Sequence, residues 1–385
     1  MKRVHLDHNA TTPMRPEVRE RLLEVLDSGA SNPSSLHASG RRARMLVDEA
    51  RERTAAALGV GEDEVLFTSG GTESNNLALF GTLAAGRALV TSTVEHSSVL
   101  EPAARLAQAG HPWRQAAVGE DGLIDVGLVA QLALGQAGSS AAEPAGLVSV
   151  MAANNEVGMV QPLAELGRRL AEAPGPGPLL HTDAVQALGR LETPLRAWGV
   201  DLASFSAHKL GGPQGVGVLY RRAGVALRPH LVGGGQEGGL RPGTENVAAI
   251  VAASHAFELA VRDREVFAAR ASSLALELWN GLRESFPGAL LMGPPIDSVA
   301  RLPGTLNVVL PHVDGKVLVT RLDLEGLEVS AGSACASGSL EPSHVLLAMG
   351  LDEQRARAGL RMSVGRETTR IDAQQAVDIV RRTCG

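Results

Sequence analysis

Cysteine is nearly absent. With only Cys335 and Cys384 among 385 residues, the chain has no disulfide framework and no multi-thiolate zinc site, so a thiol here is either chemistry or filler. Aromatic residues are 3% of the chain, which leaves the core to Ala, Leu and Val. No apolar stretch approaches the roughly 18 residues of a membrane span, and the run Met1 to Asp7 reaches a carboxylate before a signal-type apolar region can form. Charge of one sign is also lacking: 36 basic and 42 acidic residues, interspersed, sum to −6, so nucleic acid is not an expected partner. There is no internal repeat, heptad array or low-complexity tail. These absences describe a globular chain expected in the cytoplasm, with no metal.

What is present is length enough for two domains and a large cleft. Two helical patterns lie between Arg15 and Leu58, the first opened by Pro16 and closed by Gly29, the second running from Gly40 to Gly59. Strand and helix then alternate. Glu64 to Thr68, Ala88 to Ser92, Gly146 to Met151 and Leu179-Leu180 read as strands, and Glu73 to Ala85 as a helix. Such alternation implies an α/β fold with a mainly parallel sheet covered on both faces. Gly135 to Pro144 and Pro174 to Pro178 read as surface connections. From Val247 a single long helix to about Phe286 is the candidate hinge. Beyond it Thr305 to Leu310 and Leu360 to Val364 read as strands, and Gly315 to Leu324 and Asp372 to Arg382 as helices, a smaller α+β domain.

Several polar clusters follow strand ends, where α/β sheets place ligand groups. Ser204-Phe205-Ser206-Ala207-His208-Lys209 puts a lysine after a hydroxyl-bearing stretch and before Gly211-Gly212-Pro213, with Asp183 and Gln186 upstream. These are the residue types for pyridoxal-phosphate attachment, which needs an amine, groups for a phosphate and a carboxylate for a ring nitrogen. The plain alternative is a solvated loop charge. Ser69-Gly70-Gly71-Thr72-Glu73-Ser74-Asn75 either binds phosphate at a helix N-terminus or simply caps that helix; it is neither a Walker A loop nor a dinucleotide turn. His96 either stacks on a flat ring or is a polar loop histidine. Asn155 and Asp183 stand just past two further strands, and convergence of four such clusters on one crevice is harder to explain as ordinary loops than any one of them. Cys335 lies among Gly, Ser and Ala, which favours a reactive thiol on an exposed loop over a buried hydrophobe. Arg361 either grips a carboxylate bidentately or is a solvated strand charge.

Taken together these residues resemble the cysteine desulfurases of the aminotransferase class V superfamily across essentially the whole chain. The resemblance is carried by Leu6-Asp7-His8-Asn9-Ala10-Thr11-Thr12-Pro13, Asn32 to His37, the Ser69 to Asn75 turn, the Lys209 run, Gly233 to Glu237, Arg241 to Asn246 and Ser330 to Cys335. It implies the pyridoxal-phosphate-dependent transferase fold, like that of aspartate aminotransferase. A large domain, 15–257, would hold a mainly parallel seven-stranded sheet, and 1–14 with 258–385 would form a small domain carrying the Cys335 loop. It implies that Lys209 holds the cofactor pyridoxal 5'-phosphate, that Asp183 pairs its pyridinium nitrogen, that His96 stacks on its ring and that Gln186 meets its ring oxygen. Gly71, Thr72, Ser206 and His208 would bind the phosphate, with Thr244 reaching in from the neighbouring subunit of a homodimer. Asn155 and Arg361 would hold substrate.

By the same resemblance L-cysteine yields L-alanine and a persulfide on Cys335. Lys209 would move the Cα proton and His96 would relay a proton to the substrate thiol. The loop resembles the extended NifS-like and IscS-like group, whose sulfur passes to acceptor or iron–sulfur scaffold proteins. The rival readings are another pyridoxal-phosphate enzyme of the same fold, such as a selenocysteine lyase or aminotransferase, and a non-catalytic sulfur carrier. Cys335 speaks against transamination, which needs no loop thiol; Lys209 and Asp183 speak against the carrier.

Overall fold

A computed structural model describes residues 3–29, 31–135, 143–172, 177–311, 313–332 and 341–384. After a short first strand, β1 (Val4–His5), the chain lays down β2 (Val65–Thr68), β3 (Leu89–Ser92), β4 (Trp113–Ala116), β5 (Leu147–Ser149), β6 (Leu179–Asp183), β7 (Leu202–Ser206) and β8 (Gly217–Arg221). These last seven form one sheet in the order β2-β8-β7-β6-β5-β3-β4, in which only β8 runs against its neighbours. The sheet is buried on both faces, so β2, β3 and β5 read as runs of buried residues and not as alternations. The chain moves outward from β3 to β4, then returns to place β5 on the other side of β3. That reversal makes a crevice at the carboxyl ends of β3 and β5.

The helices of this half are α1 (Pro16–Asp27), α2 (Ala38–Leu58), α3 (Gly71–Thr82), α4 (Ser97–Gln108), α5 (Val126–Leu134), α6 (Leu163–Ala171) and α7 (Val247–Arg262). Pro16 opens α1 and Gly29, at φ 65°, follows its end; Gly59, at φ 67°, closes α2 in the left-handed conformation that glycine adopts without a Cβ penalty. α7 packs against α1 and α2, and its buried alanines, Ala248, Ala249, Ala252, Ala253 and Ala256, let the helices approach closely.

The expected single helix from Val247 to Phe286 is two. α7 ends at Arg262, and α8 runs Arg264–Ser285. Between them Asp263 receives Arg15 Nη1 at 2.9 Å and Arg366 Nη1 at 2.5 Å, partners distant in sequence that turn the chain where its periodicity alone does not.

The C-terminal part contains β9 (Leu290–Leu291), β10 (Thr305–Val309), α9 (Gly315–Leu324), β11 (Leu327–Glu328), α10 (His344–Ala348), α11 (Glu353–Arg357), β12 (Gly359–Ser363) and α12 (Arg370–Cys384). β12, β10 and β9 form an antiparallel sheet, and β1 pairs in parallel with β11. Val4 and Leu6 are buried in an apolar cluster with Leu274, Leu278, Leu360 and Val380, each such side chain contributing about 2 kcal/mol. The other large cluster spans Val25 to Ala260 around the central sheet. The expected connections at 135–144 and 174–178 fall largely on residues outside the described ones. Among the described residues no helix is long and apolar enough to cross a membrane.

Candidate active site

A cleft of about 200 Å³ opens at the carboxyl ends of β3, β5, β6 and β7. It brings together Gly71, Thr72, His96, Asn155, Asp183, Gln186, Ser206, His208, Lys209 and Arg361, although these residues come from six separate stretches of chain. The turn after β2 supplies the start of α3. A Cβ on Gly71 would stand 2.7 Å from Val185 Cγ2, so glycine keeps this corner open to a ligand. The backbone N–H groups in the first turn of α3 have no helical partner, and the helix dipole favours an anion beside them. Ser69 N–H is already taken by Glu73 Oε2 at 2.7 Å, and Glu73 is held in turn by Arg241 Nε at 2.8 Å.

The amine is placed by the N-terminal segment. Lys209 Nζ donates to Asn9 O at 2.6 Å and to Ala10 O at 2.7 Å. Asn9 is a hub: its carbonyl also accepts Gln186 Nε2 at 3.0 Å, and its Oδ1 accepts Arg190 Nη1 at 2.6 Å. Arg190 is pushed down to about 10, by burial first and then by the charge of Arg361. Gln186 Oε1 is buried with no partner among the described residues. His208, whose Nδ1 lies 3.1 Å from Thr11 Oγ1, is pushed down to about 4 by burial and then by Lys209, so it is neutral at pH 7.

Asp183, 6% exposed, accepts Val185 N–H at 3.0 Å on Oδ1 and Asn75 Nδ2 at 2.8 Å on Oδ2. His96 caps α4 and lines the cleft. Arg361, 1% exposed, donates from Nη2 to Asp7 Oδ1 at 2.6 Å and from Nη1 to Asn155 O at 3.2 Å, so it is a buried, paired cation and not a solvated strand charge. Asp7 also accepts Ser330 Oγ at 3.0 Å. Two predicted residues stand apart. Thr244 is exposed on the segment before α7 and does not line this chain's cleft, and Cys335 lies outside the described residues.

Sequence reasoning missed Asn9 and Asp7, Asn75, and Glu95 beside His96. Asn9, Asp7 and Asn75 lie inside runs that were singled out, but only their partners reveal them. Glu95 is completely buried: Ser92 Oγ donates to its Oε1 at 2.5 Å and Met151 N–H at 3.0 Å. Burial, aided by the charge of Asp183 and opposed by those two hydrogen bonds, pushes it up to about 8 from its ordinary 4.5. The folded chain therefore holds this proton where the unfolded chain releases it. Its stabilising effect is complete below pH 4.5 and is lost as pH rises through 8. Glu95→Gln keeps the acceptor without the charge, so the variant's melting temperature should gain on the parent's as pH rises from 5 to about 9. Melts at several pH values check this, and a constant difference would refute it.

A family model described as aminotransferase class-V matches residues 4–375. The chain is 40% identical over 387 residues to a cysteine desulfurase IscS from Dictyoglomus turgidum, covering 99% of this chain and 95% of that protein. It is 37% identical over 383 residues to a cysteine desulfurase IscS from Clostridium botulinum, covering 98% and 94%. A solved NifS-like protein has the same fold, with a TM-score of 0.89 at 35% identity over 99% of this chain and 98% of that one. The chain belongs to the aminotransferase class-V family and, within it, to the cysteine desulfurases.

Proposed function

We propose that the chain removes sulfur from L-cysteine, leaves L-alanine, and carries the sulfur as a persulfide on Cys335. The observation that supports this most is the meeting of an amine, Lys209, a doubly hydrogen-bonded carboxylate, Asp183, and a buried arginine, Arg361, on one cleft. Pyridoxal 5'-phosphate fits these residues, because the corner kept open by Gly71 is lined by unpaired N–H groups and by Thr72, Ser206 and His208, all suited to a phosphate. Asp183 would hold the ring nitrogen, His96 and Gln186 the ring, and Lys209 the aldehyde carbon. Bound there, the cofactor supplies an electron sink for negative charge developing at the substrate Cα.

The chain's own residues do the rest. Arg361 takes the substrate carboxylate as a two-pronged donor beside Asn155. Lys209 Nζ removes the Cα proton and His96 carries a proton to or from the substrate sulfur. The Cys335 thiolate attacks that sulfur: an S–S bond forms, the C–S bond breaks, and its electron pair stays on carbon, which is protonated to give alanine. We read 15–257 as the cofactor-binding domain and 1–14 with 258–385 as the small domain, in a cytoplasmic homodimer whose partner receives Thr244. The persulfide goes to an acceptor or scaffold protein for iron–sulfur cluster assembly or another sulfur-transfer pathway.

Cys335→Ser, given L-cysteine and a reductant, should release alanine and sulfide about 100-fold or more below the parent while its visible cofactor band remains. Sulfide release at the parental rate would remove the persulfide role and favour another pyridoxal-phosphate activity.

A further inference from the structure

One buried side chain joins the carboxylate at the end of β6 to the histidine at the start of α4, and it touches neither cleft nor solvent. Asn75, 0% exposed, sits on α3 one turn past Gly71. Its Nδ2 lies 2.8 Å from Asp183 Oδ2 and 2.8 Å from Ser98 Oγ, so each amide hydrogen has its own acceptor. Ser98 Oγ lies 2.8 Å from His96 Nδ1, and Ser98 N–H donates to the same nitrogen at 3.1 Å. A backbone N–H only donates, so Nδ1 presents its lone pair. Ser98 Oγ already accepts from Asn75, so its hydroxyl hydrogen is left for Nδ1, and the neutral imidazole keeps its proton on Nε2. The amide's orientation is fixed as well. Reversed, it would set Oδ1 against the Asp183 carboxylate; as it stands, Oδ1 is buried without a partner among the described residues, a cost that only the two donor bonds offset.

We infer that Asn75 is a positioning residue for the reaction: one amide holds Asp183 by a hydrogen bond and, through the Ser98 hydroxyl, steadies the His96 ring, whose tautomer the Ser98 N–H already sets. This rests on the reading of the cleft as the cofactor site. The other ionisable groups around Asp183 do not do this work. Glu95, beside His96, is protonated at neutral pH, His208 is neutral there, His181 on β6 is pushed down to about 3 by burial, and Lys209 is held by two carbonyls. With its hydrogen bond from Asn75 removed, Asp183 would keep Val185 N–H but be held less firmly against the ring nitrogen, which would weaken the ring's pull on electrons.

The test uses the cofactor-loaded enzyme and the pH midpoint of its visible absorbance, together with kcat and KM for L-cysteine. Asn75→Leu, close in shape and without a donor, should move the midpoint upward by about half a unit or more and lower kcat about tenfold or more, with KM nearly unchanged because Arg361 is untouched. Ser98→Ala should lower kcat and leave the midpoint in place. The rate loss of the double variant should be smaller than the product of the two single losses, since the Asn75–Ser98 link is common to both. A parental midpoint in Asn75→Leu, or additive rate losses in the double variant, overturns the inference. If Asn75→Leu does not hold the cofactor, Asn75→Asp decides: a second buried carboxyl beside Asp183 must also displace the midpoint, and an unmoved one overturns the role. A parent with no visible band, or forming no alanine, overturns the reading of the cleft itself. A normal parent with an unmoved variant overturns only the role of Asn75.

Discussion

Lys209→Ala should form no reducible bond to the cofactor and should make alanine from L-cysteine at least about 10⁴-fold more slowly than the parent. Two functions leave with one amine, the attachment point and the base for the Cα proton. Among the described residues no other lysine lines the cleft, and the sequence holds three in all, Lys2, Lys209 and Lys316. The fold should survive, because alanine removes a donor to Asn9 O and Ala10 O and no part of the apolar core. Borohydride reduction followed by peptide mapping reads the outcome directly. An adduct on Lys2 or Lys316 in the parent would assign the cofactor elsewhere and refute the reading.

The second large effect is expected at Arg361. Arg361→Leu should raise KM for L-cysteine about 100-fold to 1000-fold, with a smaller change in kcat, because a two-pronged charge-assisted contact to a carboxylate is lost. Arg361→Lys should not restore it, since an ammonium is a point charge without the planar fork. Stability should fall too, by about 3 kcal/mol, as Asp7 loses the cation 2.6 Å away. Adding Asp7→Asn to Arg361→Leu should recover part of the stability and none of the substrate affinity. Steady-state kinetics and denaturant melts separate the two effects. A KM within twofold of the parent would remove Arg361 from substrate binding.

The parts of the site that were legible were those whose signal is local. Glycine at 71, a hydroxyl at 72 and the run ending at Lys209 each announce their chemistry within a few residues, because a helix N-terminus and a strand end have fixed local geometry. Arg361 stayed ambiguous in sequence, and its partner Asp7 lies 354 residues away. The break at Asp263 was invisible for the same reason, since the arginines that hold it come from α1's entry and from the segment after β12. Glu95 carries no local signal of its own in the sequence. Only the closing of β5 over it, with Met151 N–H on its carboxyl, makes it a buried acid.

The sequence by itself determined the alternating elements, the residues that open and close α1, the glycine that closes α2, and the inventory of amine, carboxylate, imidazole and thiol. Those follow from side-chain type and short-range backbone preference, which need no distant partner. The tertiary structure alone decided which members of that inventory act together. The return of β5 beside β3 opens the crevice, the N-terminal segment crosses it to hold Lys209, and α3 turns Asn75 inward between Asp183 and Ser98. A hydrogen bond of 2.8 Å between residues 108 apart, as between Asn75 and Asp183, exists only once strands and helices have taken their places.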